Sequence, residues 1–251
     1  MKIEQISENT LMISYSNRID PDLSDRLLAT LSILQQQLGQ YLLDAVPSYC
    51  SMLLTIDVLK ISMTECQAQI ENLLFEKQLF EKRLIKKAVS EKRQQQGDIP
   101  ALATFENLLE IPVYYGEEVA LDAREVCVQT GLNWQQIIEL HTQESYRVYA
   151  IGFAPGVAYL GHLPDALSLE RKATPRARVP KGSVAIAGRQ TAVYPKSSPG
   201  GWHIIGRTPI SIVDFERENL SLFQIGARVR FQAISRQDYL DLGGHLEPVL
   251  L

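Results

Sequence analysis

The chain has 251 residues, of which 45% are hydrophobic and 22% are charged. This composition is typical of a globular protein with a hydrophobic core, and it excludes an intrinsically disordered chain. Its length corresponds to one large domain or two small ones. Lysine and arginine total 25 against 29 acidic residues, for a formal net charge of −4, and no basic run dominates. The charge therefore argues against nucleic-acid binding.

The sequence predicts a cytoplasmic protein that does not enter a membrane. Its N-terminus lacks a basic stretch followed by an apolar core, so we expect no signal peptide. No window approaches the roughly 18 uninterrupted apolar residues of a membrane-spanning helix. The three cysteines, Cys50, Cys66 and Cys127, are scattered and form no C-x-x-C pair. We therefore expect a reducing compartment, no disulfide scaffold and no bound metal.

Strand and helix signals alternate over the first hundred residues. Asp20 followed by Pro21 is typical of a helix N-cap and first turn, and leucine then recurs on one helical face up to Gly39. The predicted elements are a strand over Leu11–Tyr15, a helix from Asp20 to Gly39, a strand over Cys50–Asp57 and a helix from Thr64 to about Arg93.

A polar stretch with a glycine and a proline, Gln94–Pro100, interrupts this pattern. We place a domain boundary there, between residues 97 and 98. Short strands at regular spacing with turn signals then predict a closed β-barrel or sandwich. The predicted elements are strands over Glu110–Tyr115, Tyr146–Gly152, Ser183–Ala187, Thr191–Tyr194, Pro209–Val213 and Arg228–Phe231, one helix ending at Gly131 and one running from Asn133 to His141.

Several familiar catalytic motifs are absent from the sequence, among them H-E-x-x-H, G-x-S-x-G and the EF-hand loop. Gly156 and Gly161 have the spacing of a phosphate-binding loop, but His162 stands where that loop needs a lysine. We therefore predict no nucleotide-binding loop of this type. Any ATP chemistry then belongs to another fold or another chain.

The segment from Gly152 to Thr208 carries most of the candidate binding residues. Its prolines and glycines predict fixed, irregular loops in which backbone groups can face a ligand. Arginine offers a carboxylate a planar fork of donors, and lysine offers a compact charge. The polar side chains suited to a small carboxylate or amide are Thr174, Arg176, Arg178, Lys181, Ser183, Gln190, Ser197, Ser198, His203 and Arg207.

Each candidate also has a purely structural interpretation. His203 follows Trp202 in a strand-like segment, where a histidine can simply be a hydrogen-bonded wall residue. Arg176 and Arg178 alternate with apolar neighbours and can face solvent from a strand. His141 ends a helix, where a partly cationic imidazole favours the helix dipole without catalysis. Taken singly, none of these residues specifies a function.

Together, the motifs of this segment form a recognisable string. The chain contains Ile151–Gly161 (IGFAPGVAYLG), Ala173–Arg176 (ATPR), Val179–Gly188 (VPKGSVAIAG), Gln190–Trp202 (QTAVYPKSSPGGW) and Ile205–Pro209 (IGRTP). On these residues, and on shorter matches upstream, most of the chain resembles the KipI/PxpB family, also known as the B subunit of 5-oxoprolinase or as allophanate hydrolase subunit 1. It departs from the family pattern at Arg171–Lys172, where a proline–arginine pair is frequent.

The resemblance implies an α+β protein with a small α/β N-terminal domain over 1–97 and a cyclophilin-like β-barrel domain over 98–251. It implies membership of the bacterial ATP-dependent 5-oxoprolinase, which opens 5-oxo-L-proline to L-glutamate. The implied partners are two further subunits of that enzyme, one KipA-like and one LamB/YcsF-like. ATP is the implied co-substrate of the assembled enzyme, and the chain alone is expected to be inactive.

The enzyme hypothesis assigns roles to particular side chains. The amide of 5-oxoproline is resonance-stabilised and needs activation by ATP, and a positive loop cluster can hold its carboxylate or stabilise charge on its oxygen. We expect Lys181 and His203 to be catalytic. The expected substrate-binding residues are Arg176, Gln190, Ser198 and Arg207.

Two other functions stay open from the sequence. Some proteins of the resembled family inhibit a histidine kinase by binding it, and such an inhibitor needs no catalytic residue. A scaffold that only stabilises its KipA-like partner is the third possibility. Shared fold and motifs do not separate these functions.

Overall fold

The computed structural model describes residues 1–16, 19–75, 108–216 and 220–246. The chain divides into two compact units, Met1–Thr104 and Phe105–Leu251. The domain boundary expected between residues 97 and 98 lies outside the described residues. None of the described helices is long and apolar enough to cross a lipid bilayer.

The N-terminal unit contains four strands and two helices. They are β1 (Lys2–Gln5), β2 (Thr10–Ser14), α1 (Pro21–Leu38), β3 (Leu42–Ser48), β4 (Ser51–Ile56) and the helical residues 63–75, called α2. The strands form one antiparallel sheet in the order β1-β2-β4-β3. Because side chains alternate along a strand, Met52, Leu54 and Ile56 share one face of β4, and they pack in one core with Leu27 and Leu34 of α1.

Helix α1 begins as the sequence predicts. The side chain of Asp20 accepts a hydrogen bond from Asp22 N at 2.9 Å, and Pro21 occupies the first turn, where no donor is needed. Its end differs from the usual glycine cap, because Gly39 has a right-handed φ of −53° and begins a 3-10 turn over Gly39–Tyr41. The helix predicted from Thr64 is helical through residue 75, and its remainder to Arg93 lies outside the described residues.

The C-terminal unit is built mainly from β-strands. Its strands are β5 (Leu108–Val113), β6 (Ser145–Ile151), β7 (Ala158–Gly161), β8 (Arg176–Val179), β9 (Ser183–Ala187), β10 (Gln190–Val193), β11 (Ser198–Gly200), β12 (His203–Arg207) and β13 (Arg228–Ala233). Its helices are α3 (Ala123–Thr130), α4 (Trp134–Gln143) and α5 (Arg236–Asp241). The predicted α+β class, a small α/β unit followed by a β-barrel unit, is confirmed.

Seven strands of this unit form a nearly closed sheet in the order β12-β9-β10-β7-β6-β13-β5. Neighbouring strands are antiparallel except β13 and β5, which are parallel. The two edges meet where Tyr114 N donates to Arg207 O at 2.9 Å and Arg207 N donates to Tyr114 O at 2.8 Å. These bonds pair main-chain groups that an open sheet edge would leave exposed. Strands β8 and β11 form a separate two-stranded sheet.

Strand β9 is buried on both faces. Val184 and Ile186 pack into the main core of the barrel, whereas Ala185 and Ala187 belong to a second, smaller apolar cluster that includes Trp202. Successive side chains of a strand point to opposite faces, so β9 separates the two clusters. Its neighbours β10 and β12 are held between the same two layers.

The two short helices follow the predicted caps. Helix α3 ends at Gly131, whose φ of 71° lies in the left-handed region that glycine adopts without steric cost. Asn133 caps α4 by accepting from Gln136 N at 2.9 Å, and the Gln136 side chain accepts from Asn133 N at 3.0 Å. The cap fixes where α4 begins, and His141 lies in its last turn.

The strand predicted over Pro209–Val213 is wrong. This segment makes only an isolated bridge between Val213 and Ser221. Pro209 has no N–H for a β-ladder, and the Thr208 hydroxyl accepts from Ile210 N at 3.2 Å. A local side-chain hydrogen bond therefore replaces the strand pairing that the apolar residues suggested.

Candidate functional site

The sequence-predicted site residues separate into two groups at opposite ends of strand β12. His203 begins this strand and faces Ile186 across β9. Arg207 ends it and faces Ser183. Lys181 lies two residues before Ser183, so it belongs with Arg207. The predicted side chains therefore do not form a single cluster.

Gln190 and Ser198 occupy the first positions of two strands. Gln190 begins β10, where it pairs with Ala187 of β9, at the same end of the sheet as His203. Ser198 begins β11 and pairs with Val179 of β8. Both predicted residues are half-buried.

The group at the start of β12 is organised by Asp122, which the sequence did not single out. Its carboxylate accepts two hydrogen bonds from the Arg176 guanidinium at 2.7 Å each and one from Lys172 Nζ at 2.9 Å. It also accepts from Ile204 N at 2.7 Å, while Asp122 N donates to Ile204 O at 3.0 Å. The carboxylate is buried but fully paired, so it fixes Arg176 and Lys172 against β12.

Glu125 extends this group towards His203. Its carboxylate contacts Lys172 Nζ, and its Oε1 lies 3.9 Å from His203 Nδ1. The five side chains of Asp122, Glu125, Lys172, Arg176 and His203 are called the Asp122 cluster below. Two carboxylates face one ammonium and one guanidinium, so these charges balance.

The hydrogen bonds of His203 define its neutral tautomer. Its Nε2 lies 2.8 Å from the carbonyl oxygen of Glu170, which can only accept, so Nε2 carries the proton. Neutral His203 then has a bare lone pair at Nδ1, and this atom has no hydrogen-bond partner among the described residues. The side chain is only 1% exposed.

Charge pairing keeps Asp122 and Lys172 ionised despite their burial. Burial alone would raise the pKa of Asp122, but hydrogen bonds from Arg176, Lys172 and Ile204 N outweigh it and lower that pKa. Burial likewise would lower the pKa of Lys172, and its bonds to Glu125 and Asp122 raise it instead. Both groups therefore stay charged at neutral pH.

The same cluster offers three side-chain types that bind metal ions. Ligand atoms of Asp122, Glu125 and His203 lie within 4.8 Å of one another. The Lys172 ammonium, however, contacts both carboxylates and supplies a tethered positive charge between them. An added divalent cation would have to displace this ammonium, so the arrangement suits an internal ion-pair network better than a metal centre.

The group at the end of β12 has the opposite charge balance. Arg207 is 4% exposed and donates from Nη1 to the His245 carbonyl at 3.1 Å. Its Nε and Nη2 have no hydrogen-bond partner among the described residues, and neither does the hydroxyl of Ser183. Exposed Lys181 donates to Ser211 Oγ at 3.4 Å. This end of β12 is therefore cationic.

His141 is a core residue rather than a charged helix terminus. Its Nδ1 lies 2.8 Å from Tyr115 Oη and its Nε2 lies 2.9 Å from Thr191 Oγ1, whose hydroxyl donates to Ala185 O. The ring stacks on Phe231 at 4.6 Å. Burial lowers the pKa of His141 to about 3, so the partly cationic imidazole expected from the sequence is wrong.

The two glycines at phosphate-loop spacing serve a strand. Gly156 precedes β7 with a φ of 80°, and a Cβ atom on it would lie 2.1 Å from Val213 Cγ2. Gly161 is the last residue of β7. These positions do not form the single loop before a helix that cradles phosphates.

Comparisons with known proteins identify the family. The chain matches the family described as carboxyltransferase domain, subdomain C and D, over residues 1–223. It is 31% identical over 238 residues to a Bacillus subtilis (strain 168) protein named as the B subunit of 5-oxoprolinase, and the match covers 95% of both chains. The chain belongs to the family of 5-oxoprolinase B subunits, the PxpB family.

A second curated relative and a solved structure are also similar to the chain. The Escherichia coli O157:H7 protein of the same name is 45% identical over 131 residues, 52% of this chain and 60% of its own length. The crystal structure of TTHA0988 superposes with a TM-score of 0.71 at 31% identity, over 90% of this chain and 40% of that chain. This chain thus spans about two fifths of TTHA0988. The resemblance predicted from the motifs is confirmed.

Proposed function

We propose that this chain is the B subunit of an ATP-dependent 5-oxoprolinase, which opens 5-oxo-L-proline to L-glutamate. Its partners in this proposal are two further subunits, one LamB/YcsF-like and one KipA-like, in the cytoplasm. The match to the Bacillus subtilis relative over 95% of both chains carries the proposal.

The charge distribution of the C-terminal unit supports a role in holding an acidic substrate. The positive charges of Arg176 and Lys172 are neutralised by Asp122 and Glu125. Arg207 and Lys181 have no acidic partner among the described residues. They are therefore the cations of the predicted site that remain able to pair with a substrate carboxylate or with charge developing on the lactam oxygen.

The buried position of His203 supports a positioning role in the proposed enzyme. Its Nε2 proton is held by the Glu170 carbonyl and its Nδ1 faces Glu125. His203→Gln is expected to reduce kcat, because it alters the contacts with Glu170 and Glu125. The KM for 5-oxoproline should change little, because the side chain is shielded from solvent. An unchanged kcat would contradict this role.

The direct test is the formation of glutamate and phosphate from ATP and 5-oxoproline. We expect none with this chain alone, and turnover when it is co-purified with the two partner subunits of its own organism. Failure of a folded, fully assembled enzyme to form glutamate would contradict the proposal. The histidine-kinase inhibitor hypothesis would then be tested by measuring kinase autophosphorylation in the presence of the chain.

A pair of lysine variants tests the chemical role of the cationic end of β12. Lys181→Ala is expected to lower turnover of the assembled enzyme at least about tenfold, because a positive charge near the developing oxyanion is lost. Lys196→Ala removes another exposed lysine of the same unit and is expected to leave turnover unchanged. Equal activity of the two variants would show that Lys181 has no catalytic role.

A further inference from the structure

Arg207 closes the barrel through its main chain, and part of its guanidinium has no hydrogen-bond partner among the described residues. Its main chain exchanges two hydrogen bonds with Tyr114, which join the edges of the seven-stranded sheet. Its guanidinium is buried, and only Nη1 is bonded, to the carbonyl of His245. Nε and Nη2 are donors without an acceptor among the residues described here.

Ser183 is the cross-strand neighbour of this guanidinium. The two residues are register partners in antiparallel strands β12 and β9, so their side chains leave the same face of the sheet about 5 Å apart at Cβ. Ser183 is fully buried, and its hydroxyl has no hydrogen-bond partner in the described part of the chain. Two neighbouring side chains thus hold three unused donor groups.

An unpaired buried guanidinium is costly, because it loses water without gaining an acceptor. Arg176 and Lys172 of the same unit follow the usual rule, since they are paired with Asp122 and Glu125. Arg207 departs from that rule. A bound anion that accepts from Nε and Nη2 would satisfy its charge and its hydrogen bonds together.

The local geometry favours a small, planar anion. Nε and Nη2 lie on one edge of the guanidinium, and this edge matches the two oxygens of a carboxylate. The Ser183 hydroxyl can donate to the same group. Arg207 exposes only 4% of its surface, so a large ligand could not surround it.

We propose that Arg207 and Ser183 form a binding site for the carboxylate of a small organic acid. The identity of the acid rests on the proposed function: it is 5-oxo-L-proline. Its carboxylate would be held by the guanidinium edge of Arg207 and the hydroxyl of Ser183. Arg176 is then not the substrate-binding arginine, because Asp122 already occupies its fork. Exposed Lys181 adds positive charge near this end of the sheet.

The test measures ligand-induced stabilisation of the full chain by thermal unfolding. 5-Oxo-L-proline is expected to raise the midpoint, and 2-pyrrolidinone, the same lactam without the carboxylate, is expected not to. Arg207→Met is expected to weaken binding roughly 10- to 100-fold, as for lost hydrogen bonds to a charged group. Ser183→Ala is expected to weaken it about 3- to 10-fold.

Arg228→Gln is the matched control. Arg228 is exposed on strand β13, and its Nη1 donates to Ser145 O at 3.4 Å, so its loss should leave 5-oxoproline binding unchanged. Ser183→Ala removes one buried oxygen and no observed hydrogen bond, so it carries the test if Arg207→Met does not fold. Inorganic phosphate is measured in parallel, because it is also an oxyanion.

Four outcomes would overturn the site. They are no stabilisation of the wild-type chain by 5-oxoproline, equal stabilisation by 2-pyrrolidinone, wild-type affinity in the folded variants, or stronger Arg207-dependent binding of phosphate than of 5-oxoproline. The first would show that the chain does not bind this acid. The last would identify a phosphate site in place of a carboxylate site.

The site and the proposed enzyme can fail separately. Glutamate formation by the assembled enzyme, with 5-oxoproline affinity that does not depend on Arg207 or Ser183, would reject the site and retain the function. No glutamate from the assembled enzyme, with Arg207-dependent binding of 5-oxoproline or another small acid to the chain, would reject the function and retain the site.

Discussion

Two buried histidines of the C-terminal unit differ in how their ring nitrogens are satisfied. Both nitrogens of His141 have hydroxyl partners, those of Tyr115 and Thr191. His203 has one partner, the Glu170 carbonyl, and a bare Nδ1 that faces Glu125. A fully paired histidine serves the core, whereas the bare Nδ1 of His203 is a buried acceptor without a donor among the described residues.

The burial of His141 predicts a specific pH dependence of stability. The folded state keeps this ring neutral down to a pKa of about 3, whereas the unfolded chain takes up the proton near the ordinary value of 6.5. The unfolded state therefore binds more protons below pH 6.5, and acidification favours unfolding. Between pH 7.5 and pH 5 this group should remove about 2 kcal/mol from the free energy of unfolding.

His141→Gln tests this linkage, because glutamine does not titrate. Urea unfolding followed by tryptophan fluorescence suits the measurement, since both tryptophans, Trp134 and Trp202, lie in the C-terminal unit. The stability difference between wild type and variant should shrink as the pH falls. Parallel pH profiles would mean that the pKa of His141 is the same in the folded and unfolded states, which would contradict the prediction.

Asp122→Asn should destabilise the C-terminal unit by about 3 kcal/mol, because it leaves Arg176 without its buried counter-charge and Lys172 with only the more exposed Glu125. The same fluorescence measurement reports the loss. Glu118→Gln is the control, since its ion pair with Arg236 is exposed and should contribute less than about 1 kcal/mol. Equal effects of the two substitutions would show that the Asp122 network adds nothing beyond a surface pair.

The sequence supplied part of the candidate site at the residue scale. Arg176, His203 and Arg207 were identified as polar groups within a motif-rich segment. Asp122 and Glu125 were missed, because acidic residues at the N-cap and in the first turn of a helix are ordinary helix-dipole partners. Nothing in the spacing links Asp122 to a lysine 50 residues later or to an arginine 54 residues later; only the folded barrel brings them together.

At the scale of elements, the closing contact between β5 and β12 depends on Gly206. A Cβ atom at this position would lie 2.8 Å from Val113 Cγ1 and 2.9 Å from Tyr114 O. The backbone of β12 can therefore approach β5 closely enough for the Tyr114–Arg207 hydrogen bonds only when residue 206 has no side chain. This glycine matters for close approach, not for a left-handed backbone.

Gly206→Ala is expected to destabilise the C-terminal unit by about 1–3 kcal/mol, as is usual for overpacking beside backbone. Gly152→Ala is the matched control, because a Cβ there meets no atom within 4 Å. The control should change stability by less than about 1 kcal/mol. Tryptophan fluorescence in urea measures both, and equal stabilities would contradict the importance of this close approach.

Elements with explicit local signals were predictable, and those decided by side-chain competition were not. The caps at Asp20, Gly131 and Asn133 fixed helix ends because each signal acts within four residues. The segment Pro209–Val213 has the apolar pattern of a strand, yet Thr208 satisfies the Ile210 N–H locally. Apolar periodicity alone does not reveal such a competing hydrogen bond.

At the scale of the whole molecule, the alternation of strands and helices followed by short strands predicted two different units. Each unit has a hydrophobic core of its own, and no residue of the described ranges belongs to both cores. The strand spacing predicted a closed β-barrel or a sandwich, and the family resemblance implied the barrel, because no local pattern says which strand pairs with β5. The sheet order places β5 at one edge and β12 at the other, far apart in sequence.

Leu54→Ala should lower the stability of the N-terminal unit by roughly 2–5 kcal/mol, because Leu54 is 0% exposed in the core of that unit. Circular dichroism in urea is the appropriate measurement, as the unit contains no tryptophan. Leu59→Ala removes a leucine that is 95% exposed and should be nearly neutral. Similar losses from both would mean that the β4 face is not a packed core.

Closure of the barrel through main-chain atoms at position 207 has a consequence for protein engineering. Both closing hydrogen bonds belong to the backbone, so a library of side chains at this position can keep the same topology. If the guanidinium selects acids, glutamine at 207 should shift preference from carboxylates towards neutral amides, with residue 183 as the second randomised position. Side-chain changes at these positions would then alter which ligand binds, while the main-chain hydrogen bonds keep the barrel closed.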